Sequence, residues 1–298
     1  MSIIETALEK LRRSGSALGA APGALRRRPG SSAPAPAAGP GRIGSSAEEI
    51  AKKSITVDPA ALRRAGYLSE ESLERRFAEY YRRIKRPLIE QALAGGPEMR
   101  LILVSSALPG DGKTFTSINL ALSMTRERDV SVLLVDADVP KAAVSTVFGI
   151  RGEPGLIGAL TTEYTDVESL VVSTDIPGLE ILPAGKPVED ATELLASARM
   201  GQIATRLAAA DPRRLIVVDS APLLASSEGR VLLPIHGQIV LVVRAGKTPQ
   251  RAVLDTVALV DRHKLRGLVL NEAPLGVGDG YYGYSGYGTA ANDGTSHR

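Results

Sequence analysis

The sequence has no cysteine and no tryptophan, and aromatic residues make up only 4% of its 298 residues. Without cysteine, neither a disulfide framework nor a thiolate metal site is possible, and the composition fits a reducing cytoplasm. The sequence also lacks an apolar run near the roughly 18 residues that a membrane-spanning helix needs, and it shows no secretory signal. We therefore expect a soluble, cytoplasmic chain with a core of Val, Leu, Ile and Ala.

The chain also lacks a large excess of positive or negative charge, because its formal net charge is only +3 at pH 7. Much of the excess is local, in the arginines at 26–28 and between 75 and 86. Such a small and local excess does not indicate nucleic acid as a partner. The length and the apolar fraction of 44% allow one large α/β domain with extensions.

The first third of the chain divides into three predicted segments. Residues 1–13 have apolar side chains at helical spacing, which predicts an amphipathic helix that docks on protein or, alternatively, on a membrane surface. Residues 14–58 are rich in Ala, Pro, Gly and Ser, a composition typical of a disordered linker. Residues 59–96 are expected to form a helical segment with a possible role in oligomerisation. Within it, Pro87 is expected to kink or divide the longer helix at 69–93.

Residues 97–275 alternate between short apolar runs and helical patterns. The predicted strands are 101–106, 130–138, 179–185, 215–220, 239–246 and 265–273. The predicted helices are 113–126, 141–148, 190–209, 227–233 and 249–262. Continuous Val, Leu and Ile runs are typical of strands buried on both faces, so we expect a doubly wound α/β fold with a mostly parallel sheet. Residues 276–298 are Gly-rich and polar, and we expect a flexible tail.

The strongest motif is ALPGDGKT at residues 107–114, between a predicted strand and a predicted helix. This pattern is typical of a P-loop, in which Gly110 and Gly112 let backbone N–H groups surround phosphates at a helix N-terminus. Lys113 is then expected at the β- and γ-phosphates and the Thr114 hydroxyl at Mg²⁺. The alternative is a chance connecting loop.

Acidic residues follow two of the predicted strands. Asp136 and Asp138 are two residues apart on one strand and are expected to share a face. One of them would hold Mg²⁺ and the other would accept a proton from an attacking hydroxyl, with a solvated strand end as the alternative. In LIVVDS, Asp219 follows four apolar residues in the manner of a Walker B strand. Asn271 is a candidate for adenine contact or for a turn.

These motifs together resemble the bacterial tyrosine kinases of polysaccharide biosynthesis, and most of all their exosortase-associated autokinase branch. The segments that carry the resemblance are SSALPGDGKTFTSINLA, VLLVDADVPK, IVVDSAP, LVVRAGKT, the opening MSIIETALEKLR and a tyrosine-rich tail. The resemblance implies a deviant Walker-type P-loop NTPase domain that uses ATP and Mg²⁺. It implies nucleotide contacts from Gly110, Asp111, Gly112, Lys113, Thr114, Phe115 and Asn271. It implies metal contacts from Thr114, Asp136 and Asp219, and catalytic roles for Lys113, Asp136 and Asp138, with Asp138 activating the tyrosine.

The resemblance also implies partners. The family self-associates through E-x-x-R-x-x-R, and here Glu79, Arg82 and Lys85 have that spacing. The last position departs from Arg, and Lys cannot supply the same bidentate fork, although Arg86 lies next to Lys85. A charged, solvated helix face is the alternative. Further expected partners are a membrane polysaccharide chain-length protein as activator, which would recruit the chain to the inner face of the plasma membrane, and a tyrosine phosphatase.

The tail contains GYYGYSGYG at residues 280–288, with half of the eight tyrosines of the chain. We expect Tyr281, Tyr282, Tyr284 and Tyr287 to be phosphoacceptors, since Gly neighbours leave the rings accessible. A rival function is that of the septum- or plasmid-positioning ATPases, which carry a second lysine where this chain has Leu108. A nucleotide-dependent scaffold without catalysis is a third hypothesis.

Overall fold

A computed structural model describes residues 53–273. The predicted helix at 1–13, most of the predicted linker and the tail with its four tyrosines lie outside the described residues. Within 53–273, no helix has the length and the apolar character that a membrane span requires.

The described chain forms one eight-stranded sheet around which the helices pack. The strands are β1 (Ser54–Ile55), β2 (Leu101–Ser106), β3 (Ser131–Ala137), β4 (Val172–Thr174), β5 (Leu179–Leu182), β6 (Arg214–Ser220), β7 (Gln238–Arg244) and β8 (Leu265–Asn271). Their order across the sheet is β1-β4-β5-β3-β6-β2-β7-β8. Every neighbouring pair is parallel except β4 and β5, so the prediction of a mostly parallel, doubly wound sheet is confirmed.

Nine α-helices lie within the described residues. They are α1 (Pro59–Arg64), α2 (Glu74–Ala94), α3 (Lys113–Met124), α4 (Ala143–Val147), α5 (Leu156–Thr161), α6 (Ala191–Leu195), α7 (Ala198–Ala210), α8 (Ser227–Val231) and α9 (Gln250–Leu259). Three short 3-10 helices, Glu71–Leu73, Pro97–Arg100 and Val167–Leu170, precede α2, β2 and β4.

The sheet separates two hydrophobic cores, one on each face. Strand β2 shows the alternation directly, because Leu101 and Leu103 enter one core while Ile102 and Val104 enter the other. Helices α5, α6 and α7 cover the first core, and α2, α3 and α4 cover the second. Burial on both faces explains why the strands read as continuous apolar runs.

The structure corrects several boundaries predicted from the sequence. Residues 190–209 form two helices rather than one, because Ser197 has an extended backbone (φ −71°, ψ 156°) between α6 and α7. Pro87 does not divide α2. Proline has no N–H to donate to the carbonyl of Arg83 one turn earlier, but Arg83 lies on the exposed face of the helix, where water can donate instead. Ser54–Ile55 joins the sheet inside the segment predicted as a linker. Strand β4 and helix α5 were not predicted, because both are very short.

A buried histidine makes the stability of this fold dependent on pH. His236 is 1% exposed, its Nδ1 lies 2.7 Å from the carbonyl of Leu232, and its Nε2 is buried without a partner among the described residues. Burial lowers the pKa of His236 to about 4. As the pH falls below about 6.5, this histidine takes up a proton in the unfolded chain but stays neutral in the folded chain. The free energy of unfolding is therefore highest above about pH 6.5 and falls as the pH drops toward 4.

We expect this histidine to account for about 3 kcal/mol of stability lost between pH 6.5 and 4, the equivalent of its pKa shift. The variant His236→Phe should lose that part of the pH dependence in urea unfolding at pH 7, 5.5 and 4.5. The exposed His263 provides the matched control, and His263→Phe should keep the parental dependence. Equal pH profiles in the parent and His236→Phe would contradict the assignment.

Candidate active site

The P-loop connects β2 to α3 at the carboxyl edge of the sheet. Gly110 (φ 85°) and Gly112 (φ 96°) both adopt left-handed backbone conformations that favour glycine. Gly112 also lies against β8, since a Cβ added to it would be 2.0 Å from the Nδ2 atom of Asn271. The loop conformation therefore requires glycine at both positions, as its sequence predicts.

Asp111 holds the loop in this conformation. Its carboxylate accepts hydrogen bonds from the backbone N–H of Leu108 (2.9 Å) and from the hydroxyl of Thr248 (2.7 Å). Its carbonyl accepts a hydrogen bond from Asn271 Nδ2 at 3.1 Å. The Asp111 side chain thus holds the loop from within the protein, and the predicted nucleotide contact of Asp111 would use its backbone N–H. Thr248, which follows β7, was not predicted from the sequence.

Lys113, the first residue of α3, is paired with Asp138 across the mouth of the loop. Lys113 Nζ lies 2.5 Å from Asp138 Oδ2, and both side chains are 6% exposed. Burial by itself lowers the pKa of Lys113, but the charges of Asp219 and Asp138 outweigh burial and raise it. The ammonium is therefore fully charged and lies within hydrogen-bonding distance of a carboxylate.

Asp219, at the carboxyl end of β6, binds the beginning of α3. Its two oxygens accept hydrogen bonds from the Thr114 hydroxyl (2.8 Å) and the Ser117 hydroxyl (3.0 Å). Burial raises the pKa of Asp219, and the charge of Lys113 opposes this shift. Ser117 was not predicted, although it lies one helical turn after Lys113 and thus on the same face of α3.

Asp136 lies next to Asp219, because the two residues are register partners on the adjacent strands β3 and β6. One carboxylate oxygen of Asp136 accepts hydrogen bonds from the N–H and the hydroxyl of Ser145, both at 2.7 Å. The other oxygen is buried and has no partner among the described residues. Burial, with a smaller contribution from Asp219, raises the pKa of Asp136 to about 7.

The sequence predicts Asp136 and Asp138 on one strand, and this prediction is wrong, because β3 ends at Ala137. Asp138 begins a turn in which its carbonyl accepts hydrogen bonds from the N–H groups of Lys141 and Ala142. The turn separates the positions of the two acids. Asp138 lies at Lys113, and Asp136 lies deeper, beside Asp219.

The chemistry of these side chains fits a nucleotide with a divalent cation. No group of three or more His, Cys, Asp or Glu residues that could hold a metal by itself occurs within 53–273. Mg²⁺ does not require such a group, since it keeps several waters and binds one or two carboxylates together with substrate phosphates. The Thr114 hydroxyl, the carboxylate of Asp219 and the unpartnered oxygen of Asp136 supply suitable hard oxygen donors.

A cleft of 460 Å³ opens beside the Lys113–Asp138 pair. Its walls are the P-loop, the turn after β3 and the segment from β6 into α8, including Pro109, Lys141, Pro222 and Glu228. The cleft lies at the carboxyl ends of parallel strands, where open α/β sheets bind their ligands. It leaves space next to Asp138 for a second substrate.

The residues with E-x-x-R-x-x-R spacing on α2 do not share one role. Glu79 and Arg82 are ion-paired at 2.6 Å on the outside of the helix. Lys85 is buried, and its Nζ lies 2.5 Å from the Ser123 carbonyl and 2.8 Å from Glu127 Oε1. Lys85 therefore fastens α2 to the end of α3 and is not available to another molecule.

The position of Asn271 leads to a prediction about nucleotide specificity. Because one of its amide N–H groups is bonded to the P-loop, Asn271→Ala should weaken ATP and GTP binding by the same factor, about fivefold for one lost hydrogen bond. Titration of both nucleotides by calorimetry measures this. A loss confined to ATP would show instead that Asn271 reads adenine, as the sequence suggested.

Comparisons with known proteins agree with this geometry. A family model described as an AAA domain matches residues 99–245. The chain is 32% identical over 197 residues to the tyrosine-protein kinase YwqD of Bacillus subtilis, which covers 65% of this chain and 80% of the relative. It is 27% identical over 225 residues to the tyrosine-protein kinase ptk of Acinetobacter johnsonii, covering 75% of this chain but only 29% of that longer protein.

Solved structures give the same result. The kinase domain of VpsO has a TM-score of 0.56 and 29% identity, covering 68% of this chain and all of that one. The kinase domain of the Escherichia coli tyrosine kinase ETK has a TM-score of 0.54 and 26% identity, covering 64% and 74%. With its P-loop, its paired acidic residues and these relatives, the chain belongs to the bacterial tyrosine-protein kinases.

Proposed function

We propose that this chain is an ATP- and Mg²⁺-dependent autokinase that phosphorylates Tyr281, Tyr282, Tyr284 and Tyr287 of its own tail and thereby regulates exopolysaccharide biosynthesis or export. The observation that carries the proposal is the Lys113–Asp138 pair beside an open cleft. It combines a cation for phosphate with a carboxylate for the acceptor.

The residues divide the transfer between them. The P-loop N–H groups and Lys113 bind the β- and γ-phosphates, and a bound Mg²⁺ neutralises charge on them. When Lys113 turns to the phosphates, Asp138 loses its partner and accepts the proton of the tyrosine. The phenol oxygen then forms a bond to the γ-phosphorus, the bond from that phosphorus to the β–γ bridging oxygen breaks, and ADP leaves. A base is needed because a phenol with a pKa near 10 is protonated at neutral pH.

The described part of the chain ends shortly after a residue that contacts this site. Asn271, the last residue of β8, is bonded to the P-loop, and Tyr281 follows ten residues later. Ten residues span at most about 36 Å, so the tyrosines can reach the cleft of their own molecule or of a neighbour. Each phosphate would add about −1.5 to −2 charges and repel the tail from the three carboxylates.

The names of relatives support the biological context. The chain is 31% identical over 205 residues to the succinoglycan biosynthesis transport protein ExoP of Rhizobium meliloti, which covers 67% of this chain but only 25% of that longer protein. We propose that a membrane polysaccharide chain-length protein activates this chain at the inner face of the plasma membrane and that a tyrosine phosphatase reverses the reaction. Self-association would use Glu79, Arg82 and the exposed Arg86, without Lys85.

Incubation of the purified full chain with ATP and Mg²⁺, followed by phosphosite mapping, tests the proposal. We expect phosphate on the four tail tyrosines and none on them in Lys113→Met. A variant with all four replaced by Phe serves as the matched control and should retain ATP binding. If the parent gains no phosphotyrosine, even with the cytoplasmic part of a chain-length protein added, the autokinase proposal fails. A nucleotide-dependent switch of the septum-positioning type would then be the better account.

A further inference from the structure

A second kind of tyrosine lies within the described domain. Of the four tyrosines in 53–273, Tyr81 is buried, Tyr67 and Tyr80 are half-buried, and Tyr164 is 94% exposed. A tyrosine that exposes nearly its whole side chain contributes little to the core, because burial of the ring is what stabilises. Tyr164 is therefore available to another molecule.

The loop around Tyr164 lies against two arginines of α7. Arg206 is ion-paired with Asp166 at 2.9 Å. Arg199 donates from Nε to the carbonyl of Ala159 at 2.6 Å and from Nη2 to the carbonyl of Thr162 at 2.8 Å, which leaves its Nη1 for a further acceptor. Both arginines and the loop line the same depression, of 360 Å³. The two guanidinium groups thus flank the loop that displays the phenol.

Arginines in this position are suited to a phosphate. A guanidinium has five N–H donors in a planar fork that matches phosphate oxygens. Arg206 is 61% exposed, and its pairing with Asp166 is an exposed ion pair of little energetic value. A phosphate with a charge near −2 competes well against one carboxylate for such a partner.

The loop lies away from the active site of its own molecule. It ends at Glu168, which is bonded to Arg214, the first residue of β6. Asp219 is five residues further along that strand, about 17 Å away. In addition, α7 lines the depression together with the loop and packs into the core on one face of the sheet. A phosphate on Tyr164 must therefore come from a second molecule.

We propose that Tyr164 is a further phosphoacceptor, modified in trans by a second copy of this chain, and that Arg206 and Arg199 bind the resulting phosphate. The inference rests on the proposed autokinase function. The Tyr164 oxygen bonds to the γ-phosphorus of ATP held by the second copy, the bond to the β–γ bridging oxygen breaks, and ADP leaves. The phenolic proton passes to Asp138 of that copy. Arg206 then exchanges Asp166 for the phosphate.

The test separates this inference from the tail reaction. The acceptor is a ¹⁵N-labelled full chain with Lys113→Met and Phe at all four tail tyrosines, and the donor is the unlabelled parent with ATP and Mg²⁺. Mass spectrometry should find phosphate on Tyr164 of the ¹⁵N acceptor, and Tyr164→Phe in the acceptor should reduce its phosphotyrosine to background. If the donor tail is phosphorylated and Tyr164 of the acceptor is not, the inference is wrong and the autokinase proposal stands. If the donor acquires no phosphotyrosine at all, even with the cytoplasmic part of a chain-length protein added, both are wrong.

The role of the arginine has its own measurement. Arg206→Gln in the phosphorylated acceptor should make the Tyr164 phosphate more accessible to an added tyrosine phosphatase and shorten its half-life at least about tenfold, equivalent to one lost charge-assisted hydrogen bond. Arg213→Gln, at an exposed arginine just after α7, is the matched control and should leave the half-life unchanged. Equal half-lives in the two variants would overturn the assignment of Arg206.

Discussion

Replacing Lys113 with Met is expected to reduce tail phosphorylation by at least about 10²–10³-fold, the effect of removing one preorganised charge donor from a transition state. Lys113 is 6% exposed and is the cation at the centre of three acidic side chains. As the γ-phosphoryl group leaves ADP, negative charge builds up on the β–γ bridging oxygen between the two phosphates, and Met offers neither charge nor a donor there. The measurement is the initial rate of phosphotyrosine formation with ATP and Mg²⁺.

The control for Lys113→Met is the same substitution at an exposed lysine. Lys53 is 51% exposed and paired with Glu153, outside the site, so Lys53→Met should keep the parental rate. Thermal unfolding of Lys113→Met shows whether the fold is intact, because the lost cation leaves Asp138 and Asp219 without their counter-charge. A folded Lys113→Met protein with a rate within about twofold of the parent would remove Lys113 from the catalytic account.

Asp138→Asn is expected to reduce kcat by about 10²–10⁴-fold, the usual contribution of a positioned general base. The tyrosine needs an acceptor for its proton, and the neutral amide that replaces the carboxylate is not basic enough to take it. Nucleotide affinity should be unchanged or stronger, because the Lys113 that is paired with Asp138 at 2.5 Å becomes free for phosphate. A fall in kcat without a rise in the Kd for ATP therefore distinguishes a base from a nucleotide ligand.

Asp129 provides the matched acid for this experiment. It is exposed in the loop before β3, at the other end of the strand that Asp138 follows. Asp129→Asn should leave both kcat and the Kd for ATP at parental values. If Asp138→Asn instead raises the Kd for ATP and leaves kcat unchanged, Asp138 serves nucleotide binding and another group accepts the proton.

The parts of the site that could be predicted from the sequence are those set by local chain geometry. A strand, a loop with Gly110 and Gly112, and a helix that starts at Lys113 follow one another directly. Apolar runs locate the two strands that carry Asp136 and Asp219 near their carboxyl ends. Each of these features depends on a few consecutive residues, so a single sequence contains enough information.

The parts that could not be predicted depend on contacts between distant residues. Thr248 bonds Asp111 across 137 positions, and Asn271 bonds the same residue across 160. No local pattern specifies such pairs. Lys85 is a different case, because it lies four residues after Tyr81 and three before Leu88, both of which are buried. Helical spacing alone predicts Lys85 on the inner face of α2. The match to E-x-x-R-x-x-R instead assigned Lys85 to self-association.

The most direct test of the central claim, that this P-loop site transfers phosphate to the tail, is transfer between two complementary variants. One chain carries Lys113→Met with an intact tail, and the other has an intact site with Phe at the four tail tyrosines. After mixing with ATP and Mg²⁺, the account predicts phosphate on the tail of the Lys113→Met chain, while that chain alone acquires none. If the mixture leaves this tail unmodified while the parent phosphorylates its own tail, transfer between molecules is excluded. If the parent tail stays unmodified as well, even with the cytoplasmic part of a chain-length protein added, the claim itself is contradicted.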